Sequence, residues 1–305
     1  MNPLIVIVGP TASGKTKLAV ELAHEIKGEI ISADSRQVYQ GMDIGTGKDR
    51  MEYWREGKEI PVHLLDIRQA GASYHVADFQ KDFREAFLAI RQREKMPILC
   101  GGSGMYIEAV LRQFEFTAVP VDLHLRKELE GKPKEELMQL LAQSSSPYRH
   151  LADVSTKKRL IRALEIGEYL KDAPLEPLAA LSMQAKVFGI HLEVEERWQR
   201  IKGRLRQRLD NGLVEEVKSL LDKGVSSEKL ISYGLEYRFI TQFLFGELSY
   251  AEMVEKLNIA IRQFAKRQMT YFRHMEQGGI SIHWLDGRLD TQHLTETIRR
   301  AEWNQ

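Results

Sequence analysis

Apolar positions along the chain follow two alternating periods. Residues 4–8 (LIVIV) form a short β-branched run that stops at Gly9, the pattern of a strand buried on both faces. Residues 15–26 carry Leu18, Leu22, Ala23 and Ile26 at helical spacing. Further strands are predicted at 29–33, closing on Asp34, at 62–65, and at 97–100, which runs into Gly101 and Gly102. Between the last two, 76–93 reads as a helix with Phe79, Phe83, Ala86, Phe87 and Ile90 on one face. Strands alternating with helices predict an α/β fold with a parallel sheet, whose ligands sit beyond the carboxyl ends of the strands. Gly9, Asp34 and Gly101 all stand at such ends.

The texture changes after about residue 115. Residues 121–185 carry helical patterns and no convincing strand, punctuated by Gly131, Pro133, the stretch 144–147, Pro174 and Pro177. This predicts a helical insertion at 116–185 between two parts of a core, 1–115 and 186–305. The core resumes with a strand at 187–192, helices at 195–211 and 250–273, a turn at 246–249, a strand at 282–285 and a short final helix.

Composition adds exclusions. In 305 residues, 43% are hydrophobic and 29% charged, which excludes wholesale disorder and fibrous repeats. No apolar run approaches a membrane span, and the N-terminal run lacks the basic flank of a signal peptide. The lone cysteine, Cys100, excludes an internal disulfide and a cysteine-built zinc site and fits a reducing, cytoplasmic compartment. The histidines show no ligand spacing. Net charge is +1, from 44 basic and 43 acidic residues, so overall charge points to no polyanion. Residues 262–273 (RQFAKRQMTYFR) nevertheless hold four basic and no acidic side chains, a local basic face.

Residues 9–16 read GPTASGKT, matching G-x-x-x-x-G-K-[ST] between a predicted strand and a predicted helix. Gly9, Pro10, Thr11, Ala12, Ser13 and Gly14 would wrap an anion, with N–H groups at the helix start pointing at it. Lys15 adds a point charge, and the Thr16 hydroxyl can ligate Mg²⁺. The core is therefore expected to be P-loop NTPase-like. The loop itself specifies phosphate or diphosphate, not nucleotide hydrolysis. A usual NTPase also has an apolar strand ending in Asp. The strand at 97–100 ends Cys-Gly-Gly, so Asp34 takes that metal-linked part, acts as a base across the phosphate site, or simply caps a turn.

Taken in order, GPTASGKTKLAVELA, ISADSRQVYQGMDIGTGK, HLLDI, PILCGGSGMY, RLIRALEI and AKRQMTYFR closely resemble the bacterial tRNA dimethylallyltransferases (tRNA isopentenyltransferases) over nearly the whole chain. The resemblance implies transfer of a dimethylallyl group from its diphosphate to N6 of the adenosine just 3′ of a tRNA anticodon, with release of diphosphate. It implies Mg²⁺, a tRNA anticodon stem-loop and dimethylallyl diphosphate as partners and no obligate protein partner; the oligomeric state is open, with a monomer the default for a protein that wraps an RNA stem. Asp34 would be the base that takes the N6 proton. Thr11 and Arg204 would contact the diphosphate, Arg204 through a fork suited to phosphate oxygens. The tRNA would be held by Asp34, Ser35, Arg36 and Gln37, by Lys158, Arg159 and Arg162 in the insertion, and by Lys266, Arg267 and Arg273 on the late basic helix.

Other readings accompany these. Arg204 and the basic residues can equally form solvated faces, and Tyr271 and Phe272 suit the core better than base stacking. GGSGMY, matching the family's GGTGLY, reads as a structural turn or a site. Cys100 reads as a small buried residue. The family's G-Y-K-E-like string is altered to Gly234-Leu235-Glu236-Tyr237, and 50–60 is hard to align. The rival functions are an ATP-binding kinase or ATPase on the same loop, prenyl transfer to a free adenine nucleotide, and a non-catalytic RNA-binding protein. ATP turnover, or a small acceptor, would leave the basic helix unexplained.

Overall fold

The computed structural model describes residues 2–144, 146–150, 152–172 and 180–303. Pro174 and Pro177, expected as breaks, lie outside them. Two compact units result: Met1–Gln113 with Leu181–Gln305, and Phe114–Ala180.

The larger unit begins β1 (Asn2–Val8), α1 (Lys15–Ile26), β2 (Glu29–Ala33). A short hairpin, β3 (Trp54–Arg55) and β4 (Lys58–Glu59), precedes β5 (Val62–His63), α2 (Val76–Gln92), β6 (Pro97–Gly101) and α3 (Gly104–Leu111). The smaller unit holds α4 (Leu123–Glu130), α5 (Lys134–Gln143) and α6 (Lys157–Asp172). The larger unit resumes with β7 (Met183–His191), α7 (Val194–Asp210), α8 (Leu213–Asp222), α9 (Ser227–Tyr233), α10 (Leu235–Leu244), α11 (Tyr250–Gln277), β8 (Ile282–Asp286) and α12 (Thr291–Trp303).

The main sheet runs β5-β2-β6-β1-β7-β8, and every pairing in it is parallel. Alternate residues of each strand enter opposite cores, as a two-residue period requires. Leu4, Val6 and Val8 join Ile31, Leu99, Phe79, Phe83 and Phe272 on one face. Ile5 and Ile7 join Ile30, Ile98, Leu18, Leu22 and Ile298 on the other. Register fixes the functional end. Val8 pairs with Gly101 and Ala33 pairs with the same Gly101, so β1, β2 and β6 all leave the sheet at one level.

The insertion has its own core of Leu129, Leu137, Leu141, Leu160, Ile161 and Ala163. Its bounds are wider on the N-terminal side and earlier on the C-terminal side than 116–185. The Gln113 side chain donates to the Leu181 carbonyl at 3.0 Å and accepts from the Leu181 N–H at 2.7 Å, closing the point where the chain leaves and rejoins the larger unit. The strand expected from 187 starts at Met183, correcting the reading of 121–185 as free of strand. Helices α8, α9 and α10 and the hairpin at 54–59 were not anticipated.

Within the insertion, Arg162, expected at the tRNA, makes several internal contacts. Its guanidinium donates to Val119 O at 2.6 Å and pairs with Glu165, whose side chain is 1% exposed. Arg126 completes the pairing from the other side at 2.8 Å. The i,i+3 geometry that puts Arg159 and Arg162 on one helix face also puts Arg162 over Glu165. Lys158 and Arg159 are exposed, and Arg159 pairs with Asp153 at 2.5 Å.

Candidate active site

The anion loop is built by backbone conformation. Gly14 caps α1 at φ +89° and supplies no side chain to the helix start, so the first-turn N–H groups stay available to a ligand. Gly9 is required because a side chain there would strike the Ser13 hydroxyl. That hydroxyl is buried and without a protein partner. Among the described residues the Lys15 ammonium reaches only the Pro10 carbonyl, at 3.4 Å. Burial lowers its pKa, with the Arg204 charge acting in the same direction, so an arriving anion relieves both. Thr11, Lys15 and Thr16 face a cleft of about 380 Å³. Beneath them the Cys100 thiol lies 3.6 Å from the Lys15 carbonyl. Burial pushes it up to about 12, which keeps it protonated and inert as a nucleophile.

Asp34 enters the same cleft from the end of β2. Its Oδ1 accepts the Arg36 N–H at 2.9 Å, an Asx-type bond that fixes the carboxylate. The turn after β6 backs this segment. Ser103 Oγ accepts the Ser35 N–H at 3.3 Å, and Ser103 N–H donates to Ala33 O at 3.3 Å. The glycines of this turn answer to packing. A side chain at Gly101 would strike Ala33, one at Gly102 would strike Gln268, and one at Gly104 would strike Tyr271.

The residues after Asp34 divide between roles. The Arg36 guanidinium donates to Ser232 O at 3.2 Å and stands 5.8 Å from the Tyr233 ring centre. Gln37 is buried. Its amide accepts from Ser32 at 2.9 Å and donates to Thr46 O and Gly47 O at 3.4 Å each, so it ties β2 to the following loop. Lys48 is also interior, paired with Asp43 at 2.7 Å and with Asp66.

Two arginines of α7 form the opposite wall. Arg204 and Arg208 end against Gly47, where any side chain would collide with both guanidinium groups. Arg208 pairs with Glu236 at 3.2 Å. Among the described residues Arg204 forms no hydrogen bond or ion pair. Burial, followed by the neighbouring Arg208 charge, brings it down to about 10, which leaves it cationic at neutral pH. The altered string lines this wall through Gly234, Leu235, Glu236 and Tyr237.

Helix α11 closes the cleft with Phe264, Arg267 and Gln268. Its Ser249–Glu252 capping box starts a 28-residue helix. Lys266, Arg267 and Arg273 are exposed on it. Phe272 is fully buried, which rules it out as a stacking surface, and Tyr271 is half-buried, its hydroxyl donating to Glu108 at 2.7 Å. Among the described residues there is no group of three or more His, Cys, Asp or Glu able to hold a metal. Nor is any helix among them long and apolar enough to cross a membrane.

A family model described as IPP transferase matches residues 37–275. The chain belongs to the IPP transferase family. A tRNA dimethylallyltransferase 1 from Parabacteroides distasonis is 50% identical over 302 residues, covering 99% of this chain and 98% of the relative. The solved full-length tRNA isopentenylpyrophosphate transferase of Bacillus halodurans superimposes with a TM-score of 0.73 at 33% identity, covering 99% of this chain and 95% of that one. The corresponding enzyme structure from Staphylococcus epidermidis gives 0.70 at 33% identity, with 99% and 98% coverage. In this IPP transferase the family match begins at Gln37, beyond the anion loop and Asp34; the full-length relatives span those as well.

Sequence reading overlooked Arg208, Glu216 and Gln268, and placed Glu236 and Tyr237 only within the altered string. Of the first three, Arg208 had a usable signal, since it stands one helical turn beyond Arg204 on the same face.

Proposed function

We propose that this IPP transferase moves a dimethylallyl group from dimethylallyl diphosphate to N6 of the adenosine 3′-adjacent to the anticodon of a tRNA, releasing diphosphate. The observation that carries this reading is the shared level of two strand ends: an uncapped anion loop leaves β1, and a carboxylate leaves β2, both facing one cleft. A leaving group and an acceptor proton need such facing groups.

As the C–N bond forms at N6, the allylic C–O bond breaks and its electron pair leaves on the diphosphate. The N–H groups of the loop, Lys15, the Thr11 hydroxyl and Arg204 stabilise that growing charge. The adenine amine is a weak nucleophile because its lone pair is delocalised into the ring. Asp34 accepts its hydrogen bond and then its proton. The base must leave its stack to reach the cleft, which an unpaired loop allows at low cost. Arg36, Arg267, Lys266 and Arg273 would hold the RNA backbone, with Lys158 and Arg159 contributing from the insertion.

The donor set fits Mg²⁺. Thr16 would offer one hydroxyl, and no multi-carboxylate cage stands among the described residues; Mg²⁺ favours few protein ligands, keeping water and phosphate oxygens as the rest. When bound, it would neutralise charge on the departing diphosphate.

The test is mass spectrometry of tRNA incubated with protein, Mg²⁺ and dimethylallyl diphosphate, with AMP and ATP in parallel. Prenylated adenosine in the anticodon loop is expected. Prenylated AMP beside unmodified tRNA, or ADP without any prenyl product, would sink the assignment.

A further inference from the structure

We propose that Gln268 is a positioning residue that sets the anion loop, acting from the same helix that carries the basic residues of the RNA face. Its Oε1 accepts the Thr11 N–H at 2.8 Å. Its Nε2 donates to the Gly102 carbonyl at 2.9 Å. Gln268 is 8% exposed; its bond to Gly102 is buried and its bond to Thr11 part-buried, so deleting them leaves polar groups that water reaches poorly.

The arrangement gives the second glycine-rich turn a purpose. Gly102 must lack a side chain because the Gln268 amide occupies that space. Next to it, Ser103 holds the segment on either side of Asp34, through Ala33 O and Ser35 N–H. One dipeptide after β6 thus braces Asp34 directly and the anion loop through Gln268. Thr11 is the loop residue whose backbone is gripped, and its side chain faces the cleft. Losing the grip frees the backbone that aims the Thr11 hydroxyl, so Gln268 acts on the donor through Thr11. The N–H committed to Gln268 is not among those offered to a ligand.

This deepens the diphosphate reading and rests on it, so one of its tests needs no ligand. Gln268→Met keeps the side-chain length while deleting both hydrogen bonds. Native-state amide exchange should accelerate at Thr11 in that variant while the β6 and α11 amides keep their protection; an unchanged Thr11 amide would overturn the proposal. Steady-state kinetics should show KM for dimethylallyl diphosphate rising about tenfold, the worth of one well-made hydrogen bond, with KM for tRNA unchanged. A rise confined to tRNA KM would make Gln268 an RNA contact and end the proposal. Gln268→Glu retains the acceptor for Thr11 and should recover part of the donor KM. Combined with Thr11→Val, Gln268→Met should add little, because both act through one group; full additivity would count against it. Inactivity of the wild type towards tRNA would defeat the proposed function while leaving the exchange result to judge Gln268.

Discussion

The Tyr237 hydroxyl donates to Glu216 Oε1 at 2.8 Å, and the same carboxylate receives three successive backbone N–H groups. Asp43, Ile44 and Gly45 reach it at 2.8, 2.6 and 3.0 Å. One side chain of α8 therefore organises the loop that ends at Gly47, where Arg204 and Arg208 terminate. Glu216→Gln replaces an acceptor with a donor facing those N–H groups. It should cost about 2–3 kcal/mol of stability, and Tyr237→Phe about 1 kcal/mol, both read from urea unfolding midpoints.

Asp34→Asn should lower kcat by about 10²–10⁴-fold, the range for a lost general base, while tRNA affinity stays within a factor of about two of wild type on an electrostatic scale this small. Single-turnover prenylation together with filter binding separates the two. Undiminished turnover would remove Asp34 as the proton acceptor.

Among the described residues Arg204 forms no hydrogen bond or ion pair, so on the proposed function Arg204→Ala and Lys15→Ala should raise KM for the donor far more than KM for tRNA. Arg204→Lys should recover little, since an ammonium cannot reproduce the two-pronged contact. With its pKa down to about 10, Arg204 is fully charged through neutral and mildly basic pH. Pyrophosphate affinity owing to this group should hold there and fall as pH rises through that value. Isothermal titration across the range reads this out; a fall centred near neutrality would assign the anion site to some other group.

The Arg162–Glu165 pair predicts a stability effect where an RNA effect was expected. Arg162→Ala should destabilise the insertion by about 2–3 kcal/mol, seen as faster proteolysis within 114–180. Burial alone would raise the Glu165 pKa, yet hydrogen bonds from Arg126 and Arg162 and from the Asp122 N–H outweigh it and hold it below the usual range. The unfolded chain therefore takes up this proton first. The contribution is whole above the ordinary glutamate value of about 4.3 and disappears as pH falls through the lower, folded one. Melting curves of Glu165→Gln and wild type should converge in that acid range and diverge above it.

The β1–loop–α1 unit and the strands at 29–33 and 97–100 were legible because each is a short apolar run halted by glycine or aspartate, a local signal. The hairpin at 54–59 carries too few residues to show a period. The Arg162–Glu165 pair was not legible because a charge on a helix looks the same in sequence whether it faces solvent or a buried glutamate three residues on. Glu216 and Gln268 were missed for a different reason. Their partners are backbone groups, which every residue type possesses, and the Gln268–Thr11 bond spans 257 positions. No spacing rule reaches that far. The Asp34 string was legible through family likeness; its bracing by Ser103 was not.

Cys100, the lone thiol of the chain, is buried beneath the lysine of the anion loop. Held protonated, it should react slowly with thiol reagents in the native fold. Labelling through a urea gradient would then report loss of structure at this one place. A protein with many cysteines would blur such a record; here every label reports the same few atoms.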